Sequence, residues 1–305
     1  MKLSDLSESS LRDRLAGEGL TLRIAPVAAR IRSEVPAVAE GLRLHYADYE
    51  LLDGGAFCDF HIRISPPANL RRWFRRQVRF LHDGVSPFEP MPWEHAFPVF
   101  EWGLNWCMAN HFHQYLMIHA AVIERADGRA AILAAPPGSG KSTLCAGLVA
   151  RGWRLLSDEL ALIDPRALTL TPIPRPISLK NESIEVIRRF APAAVLGSVS
   201  HDTHKGAVAH IKPPRESVRR AAEKARAAWI VFPRYQAGAP AEPKPFLKAR
   251  TVLRLAENAF NYAAFGETGF RALVGLADAC GCYEFSYGDL GEAVRVFDAL
   301  PAGER

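Results

Sequence analysis

The sequence predicts an α/β protein in which strands and helices alternate after an α+β accessory region. Two strand-like apolar runs, residues 120–124 and 130–134, flank Asp127-Gly128, a dipeptide typical of tight hairpin turns. The second run passes through a glycine-rich stretch into a helical pattern that ends at Gly152. Apolar residues make up 49% of the chain and charged residues 23%, the balance of an ordinary globular protein with a buried core.

The chain is predicted to divide into two domains. Residues 1–115 are expected to form an N-terminal α+β accessory domain, since they carry no motif with recognisable chemistry. Within them, residues 57–65 alternate apolar and polar side chains as a strand does, and an aromatic-rich helix is expected over residues 97–110. Residues 116–305 contain the glycine-rich stretch and are predicted to form the second domain.

Bulk properties argue against several classes of protein. The formal net charge of +5 suits an anionic ligand but is too small for 305 residues to indicate nucleic acid. No apolar run reaches the roughly 18–20 residues that cross a bilayer, and the polar, acidic start is unlike a signal peptide. We therefore expect a cytoplasmic protein with no membrane partner. The five cysteines, an odd number, do not predict a disulfide framework. Cys107 and Cys145 are predicted to be buried thiols, and Cys280-Gly-Cys282 is interpreted as structural rather than as a chelate or disulfide.

The glycine-rich stretch fits a phosphate-binding P-loop. Residues 135–142 are Ala-Pro-Pro-Gly-Ser-Gly-Lys-Ser, a relaxed form of the pattern with Ala135 at the first glycine position. The two glycines let the backbone curl, so that N–H groups point at phosphates beside the positive end of the helix dipole. The lysine can reach the β- and γ-phosphates, and the serine hydroxyl can ligate Mg²⁺. We therefore expect ATP and Mg²⁺ to bind, with nucleotide contacts from Pro137, Gly138, Ser139, Gly140, Lys141, Ser142 and Thr143.

An acidic pair follows the P-loop helix at the end of the next strand-like run. Asp158-Glu159 is predicted to lie on a neighbouring strand end, beside the γ-phosphate. There Asp158 can accept the proton of an incoming hydroxyl while Glu159 positions magnesium. A helix-capping or surface acid is the alternative role for Asp158. Asp164 is the competing acid, but its Asp-Pro-Arg context is more typical of a turn.

Three further segments have more than one interpretation. Residues 201–210 space three histidines as metal ligands can be spaced, yet a mobile substrate or phosphate loop carrying Lys205 is favoured over a metal site or a plain surface loop. The basic–aromatic run of residues 71–80 is expected to form a helix or strand with one apolar and one solvated basic face. Docking of a partner and binding of nucleic acid are its alternatives. Residues 219–226 are predicted to form a solvated helix.

Taken together, these motifs resemble the catalytic domain of HPr kinase/phosphorylase, and more closely the group of HPr-kinase-related (kinase A-like) proteins. The resemblance is carried by His119-Ala-Ala-Val-Ile, by the P-loop and by residues 151–159, Arg-Gly-Trp-Arg-Leu-Leu-Ser-Asp-Glu. In that family a histidine and a small residue begin the hairpin, the P-loop follows, and two acids end the next strand. The resemblance implies a P-loop kinase core of the HPr-kinase (PEP-carboxykinase-like) type.

The resemblance also implies roles for individual residues. Asp158 is the catalytic base with His119 near it, Lys141 is the phosphate clamp, and Ser142 and Glu159 serve the metal. The arginine–glycine signature that the family has after its acids is not recognisable here. Arg175 and Lys180 occupy that region, where they either balance phosphate charge in the transition state or lie in solvent.

Two hypotheses about function follow. The first is an ATP- and Mg²⁺-dependent kinase that transfers the γ-phosphate to a hydroxyl, on a serine of a partner protein or peptide or on a small compound. The resemblance adds a small PqqD-like protein as a possible partner and self-association into a homo-oligomer as a possibility. The second hypothesis is a nucleotide-gated binding or scaffold protein without turnover, in keeping with Ala135 and the missing arginine–glycine signature.

Overall fold

The computed structural model describes residues 1–301 and divides the chain into two compact units. The first unit comprises Met1–His111 together with Leu196–Lys212, and the second comprises Phe112–Val195 and the chain from Pro213 onward. Residues 196–212, which the predicted second domain includes, therefore lie with the first unit.

Most of the first unit precedes residue 112. It contains α1 (Glu8–Ala16), β1 (Leu20–Ile24), β2 (Val27–Ser33), α2 (Pro36–His45), β3 (Glu50–Leu52), β4 (Phe60–Ser65), β5 (Gln77–His82), β6 (Met91–Pro92) and α3 (Ala96–His111). Short 3-10 turns at Leu3–Asp5, Leu70–Arg72 and Trp93–His95 complete it.

The remaining elements follow in chain order. Residues 112–195 contain β7 (Leu116–Glu124), β8 (Arg129–Ala134), α4 (Lys141–Ala150), β9 (Arg154–Ser157), β10 (Leu160–Ile163), β11 (Thr169–Thr171), β12 (Ile177–Lys180) and α5 (Glu182–Phe190). The first unit then receives β13 (Ser200–Thr203) and β14 (Gly206–Ile211). The second unit resumes with α6 (Arg215–Arg219), β15 (Ala225–Tyr235), β16 (Glu242–Pro245), α7 (Lys248–Glu257), α8 (Tyr262–Ala279), β17 (Gly281–Tyr287) and α9 (Leu290–Asp298).

The first unit is built on a sheet of six strands in the order β3-β1-β2-β4-β5-β6, in which only the β2–β4 pair is parallel. Strand β4 confirms the alternation expected over residues 57–65, because Phe60, Ile62 and Ile64 are buried while the residues between them are exposed. The predicted aromatic helix is α3, which packs against β4 and β5. The buried aromatic side chains of these elements form the core of the unit.

The histidine-rich segment of residues 201–210 is a β-hairpin, so the prediction of a mobile loop was wrong. The Thr203 hydroxyl closes the turn by donating a 2.7 Å hydrogen bond to the Gly206 carbonyl. Lys205 lies over the Trp102 ring, with its Nζ 5.0 Å from the ring centroid. The sequence pattern did not reveal this contact, because Trp102 of α3 lies far from the hairpin in the chain. A phosphate contact from Lys205 stays a prediction.

The basic–aromatic run of residues 71–80 was predicted as one helix or strand, and this is also wrong. Strand β5 takes only its last part, beginning at Gln77, while the start is a short 3-10 turn. Trp73 and Phe74 remain 71% and 69% exposed and receive arginine guanidinium groups on their rings. The left-handed backbone of Arg75, with φ of 46°, interrupts any regular element there.

Residues 219–226, predicted as one solvated helix, are instead divided between elements. Helix α6 ends at Arg219 and β15 begins at Ala225. The buried Arg154 guanidinium donates hydrogen bonds to the carbonyls of residues 220 and 223, which fixes the chain in a turn between the two elements. A cation that satisfies the last carbonyls of a helix favours its termination there.

The second unit is built on a larger, mixed sheet. Its strands follow the order β11-β10-β7-β8-β15-β17-β16, with β9 also paired to β7. Strand β11 pairs with both β10 and β15, so β10, β7, β8, β15 and β11 form a closed circuit. Strands β8, β15 and β17 are mutually parallel, so their carboxyl ends share one edge of the sheet.

Helices cover both faces of this sheet. One face buries Ile118, Ile132 and Ile230 against apolar side chains of α7 and α8. On the other face, Phe285 of β17 packs edge-to-face on Phe297 of α9, and α9 in turn contacts α4. The second unit is therefore a mixed α/β layer structure with α4 and α9 on one side and α7 and α8 on the other.

Two further expectations concern the whole described chain. All five cysteines are free thiols, and Cys107 and Cys145 are buried, as predicted. Cys280 and Cys282 are buried as well. No helix among residues 1–301 is both long enough and apolar enough to cross a membrane.

Candidate functional site

A glycine-rich loop, residues 135–140, joins the carboxyl end of β8 to the first turn of α4. Gly138 and Gly140 have φ of 84° and 88°, in the left-handed region where a side chain is strained. Residues 136–138 are exposed, whereas Lys141 is only 7% exposed. No side chain of the described chain caps the helix at Gly140, so the amino end of α4 offers its N–H groups and positive dipole end to an anion.

Two tyrosines hold the loop from the neighbouring parallel strands. The buried Tyr287 hydroxyl donates a 2.8 Å hydrogen bond to the Gly140 carbonyl, and the Tyr235 N–H donates one of 2.8 Å to the Ser139 carbonyl. A Cβ at Gly140 would lie 2.4 Å from the Tyr287 oxygen, closer than real contacts allow. Burial raises the pKa of Tyr287, which keeps its hydroxyl protonated as a donor. Glycine is therefore required at this position for two reasons: the backbone has a positive φ, and the Tyr287 hydroxyl leaves no room for a Cβ.

Lys141 lies beneath the loop and contacts the histidine of β7. Its Nζ lies 2.9 Å from Nε2 of His119, so the two nitrogens share a hydrogen bond, in which an ammonium can only donate. Burial lowers the pKa of Lys141, and the negative charges of Asp158 and Glu159 oppose that shift. The lysine is thus a cation held out of water, with acids as its main source of electrostatic support.

The acids lie between two consecutive strands, β9 and β10, that both pair with β7. Strand β9 ends opposite Val122, strand β10 begins opposite His119, and Asp158-Glu159 occupies the gap between them. The prediction that this acidic strand neighbours the loop-bearing strand was wrong, because β7 lies between β9 and β8. A hairpin connects β7 to β8, so β7 takes the place beside β8 and the acidic strand joins its far edge.

Asp158 is only 4% exposed and its two carboxylate oxygens differ. Oδ2 accepts a 3.1 Å hydrogen bond from the Ser178 N–H, whereas Oδ1 is buried with no hydrogen-bond partner among residues 1–301. Burial, followed by the charge of Glu159, raises the pKa of Asp158 to about 6, although Lys141, the Ser178 N–H and the nearby Ser142 hydroxyl pull it down. An unpartnered buried carboxylate oxygen is costly, and such groups concentrate where a ligand or reaction uses them.

These residues fit a magnesium ion with a phosphate chain. The donor set is oxygen: the Ser142 hydroxyl, the Asp158 carboxylate and the half-buried Glu159 lie close enough to influence one another or Lys141 electrostatically. No group of three or more His, Cys, Asp or Glu residues in the described chain could hold a metal unaided. Mg²⁺ is usually bound by one or two carboxylates together with waters and substrate phosphates, which suits a site of this kind. The Ser139 Oγ is also buried, with no hydrogen-bond partner among residues 1–301, and adds a further polar atom to the site.

Two more of the residues singled out in the sequence lie beside Lys141. Lys180, at the end of β12, lies near enough for its charge to lower the pKa of Lys141, and Thr143 follows Ser142 in the first turn of α4. Arg175 is buried at 8% exposure, so it does not lie in open solvent. Asp164 accepts hydrogen bonds from the N–H groups of residues 166 and 167, which confirms its interpretation as a turn residue.

Tyr235, Tyr287 and the Ser178 backbone are parts of this site that were not predicted from the sequence. The two tyrosines are paired in register at the ends of β15 and β17. The parallel arrangement was the available signal, because ligand-binding residues of α/β sheets gather at the carboxyl ends of parallel strands. Ser178 carried no signal, since its contribution is a main-chain N–H.

The chain matches no protein-family model, and no curated protein matches its sequence. Among solved structures, the HPr(Ser) kinase/phosphatase from Coxiella burnetii overlaps with it at 10% sequence identity and a TM-score of 0.24. The overlap covers 59% of this chain and 90% of that chain. A likeness at this level implies nothing about chemistry, and the resemblance to the HPr-kinase-related group stays a prediction.

Proposed function

We propose that this protein is an ATP- and Mg²⁺-dependent kinase that transfers the γ-phosphate to a hydroxyl group. The observation that carries the proposal is the buried, unpartnered Oδ1 of Asp158. It belongs to a carboxylate that acts on the pKa of Lys141, the residue after the glycine-rich loop. A base, a cation and a loop whose curled backbone can bind phosphate, all in one place, are the parts that phosphoryl transfer requires.

The phosphate end of the proposed site is built from the loop, the helix and one lysine. The curled backbone and the amino end of α4 attract the β-phosphate, and the Lys141 ammonium neutralises charge on the γ-phosphate. The Lys141 Nζ lies 2.9 Å from His119 Nε2, so a hydrogen bond to the imidazole fixes the position of the lysine head group. Because this cation is already desolvated, it stabilises developing charge without a large reorganisation of water.

The acceptor end depends on the raised pKa of Asp158. With a pKa of about 6, the carboxyl is mostly ionised at neutral pH yet basic enough to take a proton during transfer. The proton of the acceptor hydroxyl passes to Oδ1, the hydroxyl oxygen forms a bond to the γ-phosphorus, and the bond from phosphorus to the bridging oxygen breaks to release ADP. Magnesium would neutralise the phosphate oxygens, held by the Ser142 hydroxyl and Glu159.

The acceptor is proposed by class. A serine on a partner protein or peptide and a small hydroxyl compound both present the same group to Asp158. A PqqD-like small protein and self-association belong to the same proposal as partners implied by the family resemblance.

Transfer of labelled γ-phosphate from ATP into a fractionated cell extract tests the proposal. We expect label on an acceptor with the natural protein, and at least a hundredfold less with Lys141→Ala or Asp158→Asn. Asp164→Asn is the matched control for the acid, since it makes the same chemical change in an exposed turn, and Lys248→Ala is the control for the lysine.

The fraction that carries the label decides the acceptor class. Label in protein supports a protein kinase, and label in small molecules supports a metabolite kinase. Tight ATP binding with no lysine-dependent label in either fraction would contradict the kinase and favour a nucleotide-gated binding protein. Full transfer by Asp158→Asn would remove this residue from the mechanism.

A further inference from the structure

We propose that the ring of Tyr235 is the stacking platform for the purine base of the bound nucleotide. This inference rests on the proposed function, because it assumes that the glycine-rich loop holds a triphosphate. It adds the residue that holds the base, and it extends the accepted nucleotides from ATP to both purines.

The strand order gives the triphosphate a direction across the loop. The loop leaves the end of β8, with β7 on one side and β15 on the other. His119 and the Asp158-Glu159 pair all lie on the β7 side. Since the γ-phosphate must lie beside the acids, the α-phosphate and the nucleoside extend toward β15. The carboxyl end of β15 is Tyr235.

Tyr235 is held in place at that end while much of its side chain stays in solvent. Its N–H is bound to the Ser139 carbonyl at 2.8 Å, and its Cβ lies 2.9 Å from where a Cβ on Gly140 would be. Its ring packs edge-to-face on Tyr287, with centroids 5.6 Å apart and planes inclined by 68°. Even so, the residue is 52% exposed. An edge-to-face contact uses the rim of one ring and does not require both faces of the other.

The Tyr235 side chain makes no hydrogen bond to the loop among the described residues. Tyr235 binds the loop through its main chain, which every amino acid except proline can do, and the side-chain bond to the loop comes from Tyr287. An aromatic ring that is fixed on one side and open to solvent beside a phosphate cradle suits a flat base. Stacking tolerates either purine, because each presents a large π-face, and it favours purines over the smaller pyrimidines.

Calorimetric binding of Mg²⁺-ATP, Mg²⁺-GTP, Mg²⁺-UTP and Mg²⁺-tripolyphosphate tests the inference. The natural protein should bind ATP and GTP about equally and more tightly than UTP or tripolyphosphate. Tyr235→Ala should weaken ATP binding about tenfold and leave tripolyphosphate binding within twofold. Tyr235→Trp should restore ATP binding. Phe270→Ala is the matched control, because Phe270 is 51% exposed on α8, which covers the opposite face of the sheet. Equal melting temperatures would exclude misfolding.

Each failure has a distinct meaning. If Tyr235→Ala weakens ATP and tripolyphosphate equally, the side chain supports the loop and the stacking role is overturned. If the natural protein binds ATP no more tightly than tripolyphosphate, the base subsite is overturned while the phosphate loop stands. If it binds neither ligand, the proposed kinase fails, and the base subsite fails with it.

Discussion

Replacing Asp158 by asparagine should make the protein more stable at neutral pH while it abolishes phosphate transfer. Burial raises the pKa of this carboxyl from 3.8 to about 6. The folded protein therefore binds more protons than the unfolded chain between these two values, and its free energy of unfolding falls as the pH rises through them. A shift of about two units corresponds to about 3 kcal/mol of lost stability above pH 6.

Asparagine has no charge to desolvate and so avoids this loss. The figure is a net one, because the pKa of about 6 already contains the attraction of Lys141. For a unit of this size, about 3 kcal/mol corresponds to a rise in melting temperature of roughly 6–12 °C. At pH 4 the carboxyl is protonated in the folded protein and about half protonated in the unfolded chain, so most of the advantage of asparagine should be lost there.

Thermal unfolding of the natural protein and of Asp158→Asn, followed from pH 4 to pH 8 without nucleotide, measures this difference. Asp164→Asn controls for the chemical change, and because hydrogen bonds lower the pKa of Asp164 it should not be stabilising. The reasoning is refuted if Asp158→Asn is no more stable at pH 8, or if its advantage is as large at pH 4. Stability gained as activity is lost would fit a residue whose burial serves chemistry.

Three further predictions concern other residues. Gly140→Ala should abolish nucleotide binding and lower the melting temperature, since its Cβ would meet a buried tyrosine hydroxyl; Gly138→Ala, with no atom in the way, should cost only the strain of its positive φ, and equal effects in calorimetry would contradict this. Glu124→Gln should lower the free energy of unfolding in urea by about 3–5 kcal/mol, because it leaves the buried Arg154 guanidinium without its nearest carboxylate. A loss under 1 kcal/mol would be inconsistent with a buried ion pair. Burial lowers the pKa of His45 from 6.5 to about 3. Its neutral, buried form should contribute about 3 kcal/mol of stability that is present above pH 6.5 and lost as the pH falls toward 4. His45→Phe should therefore reduce the loss of stability between pH 6.5 and pH 4, and an unchanged loss would assign acid unfolding to other groups.

Elements defined by local pattern were predicted well. Helix α3, the hairpin of β7 and β8, and helix α4 all appear within a few residues of their predicted bounds. Each depends on side chains close together in the chain: an apolar periodicity, the Asp127-Gly128 turn and the glycines before Lys141. The same locality explains why the turn at Asp164 was interpreted correctly.

Segments whose conformation depends on distant partners were predicted poorly. The hairpin that carries Lys205 is stabilised by Trp102, which no local pattern connects to it. Helix α6 stops at Arg219 because Arg154, on strand β9, donates hydrogen bonds to the carbonyls of residues 220 and 223. In both cases the deciding contact joins residues that are far apart in the chain.

The candidate site shows the same division. Its chemical parts could be read from short runs, because the spacing of glycines, lysine and serine in a phosphate cradle is set within one turn of chain and helix. The position of Asp158 could not, because it depends on β7 taking the place beside β8 and sending the acidic strand to its far edge. The sequence also could not predict the unpartnered Oδ1, the desolvation of Lys141 or the hydrogen bond from Tyr287 to Gly140. Burial and close approach of this kind arise only when separate strands pack together.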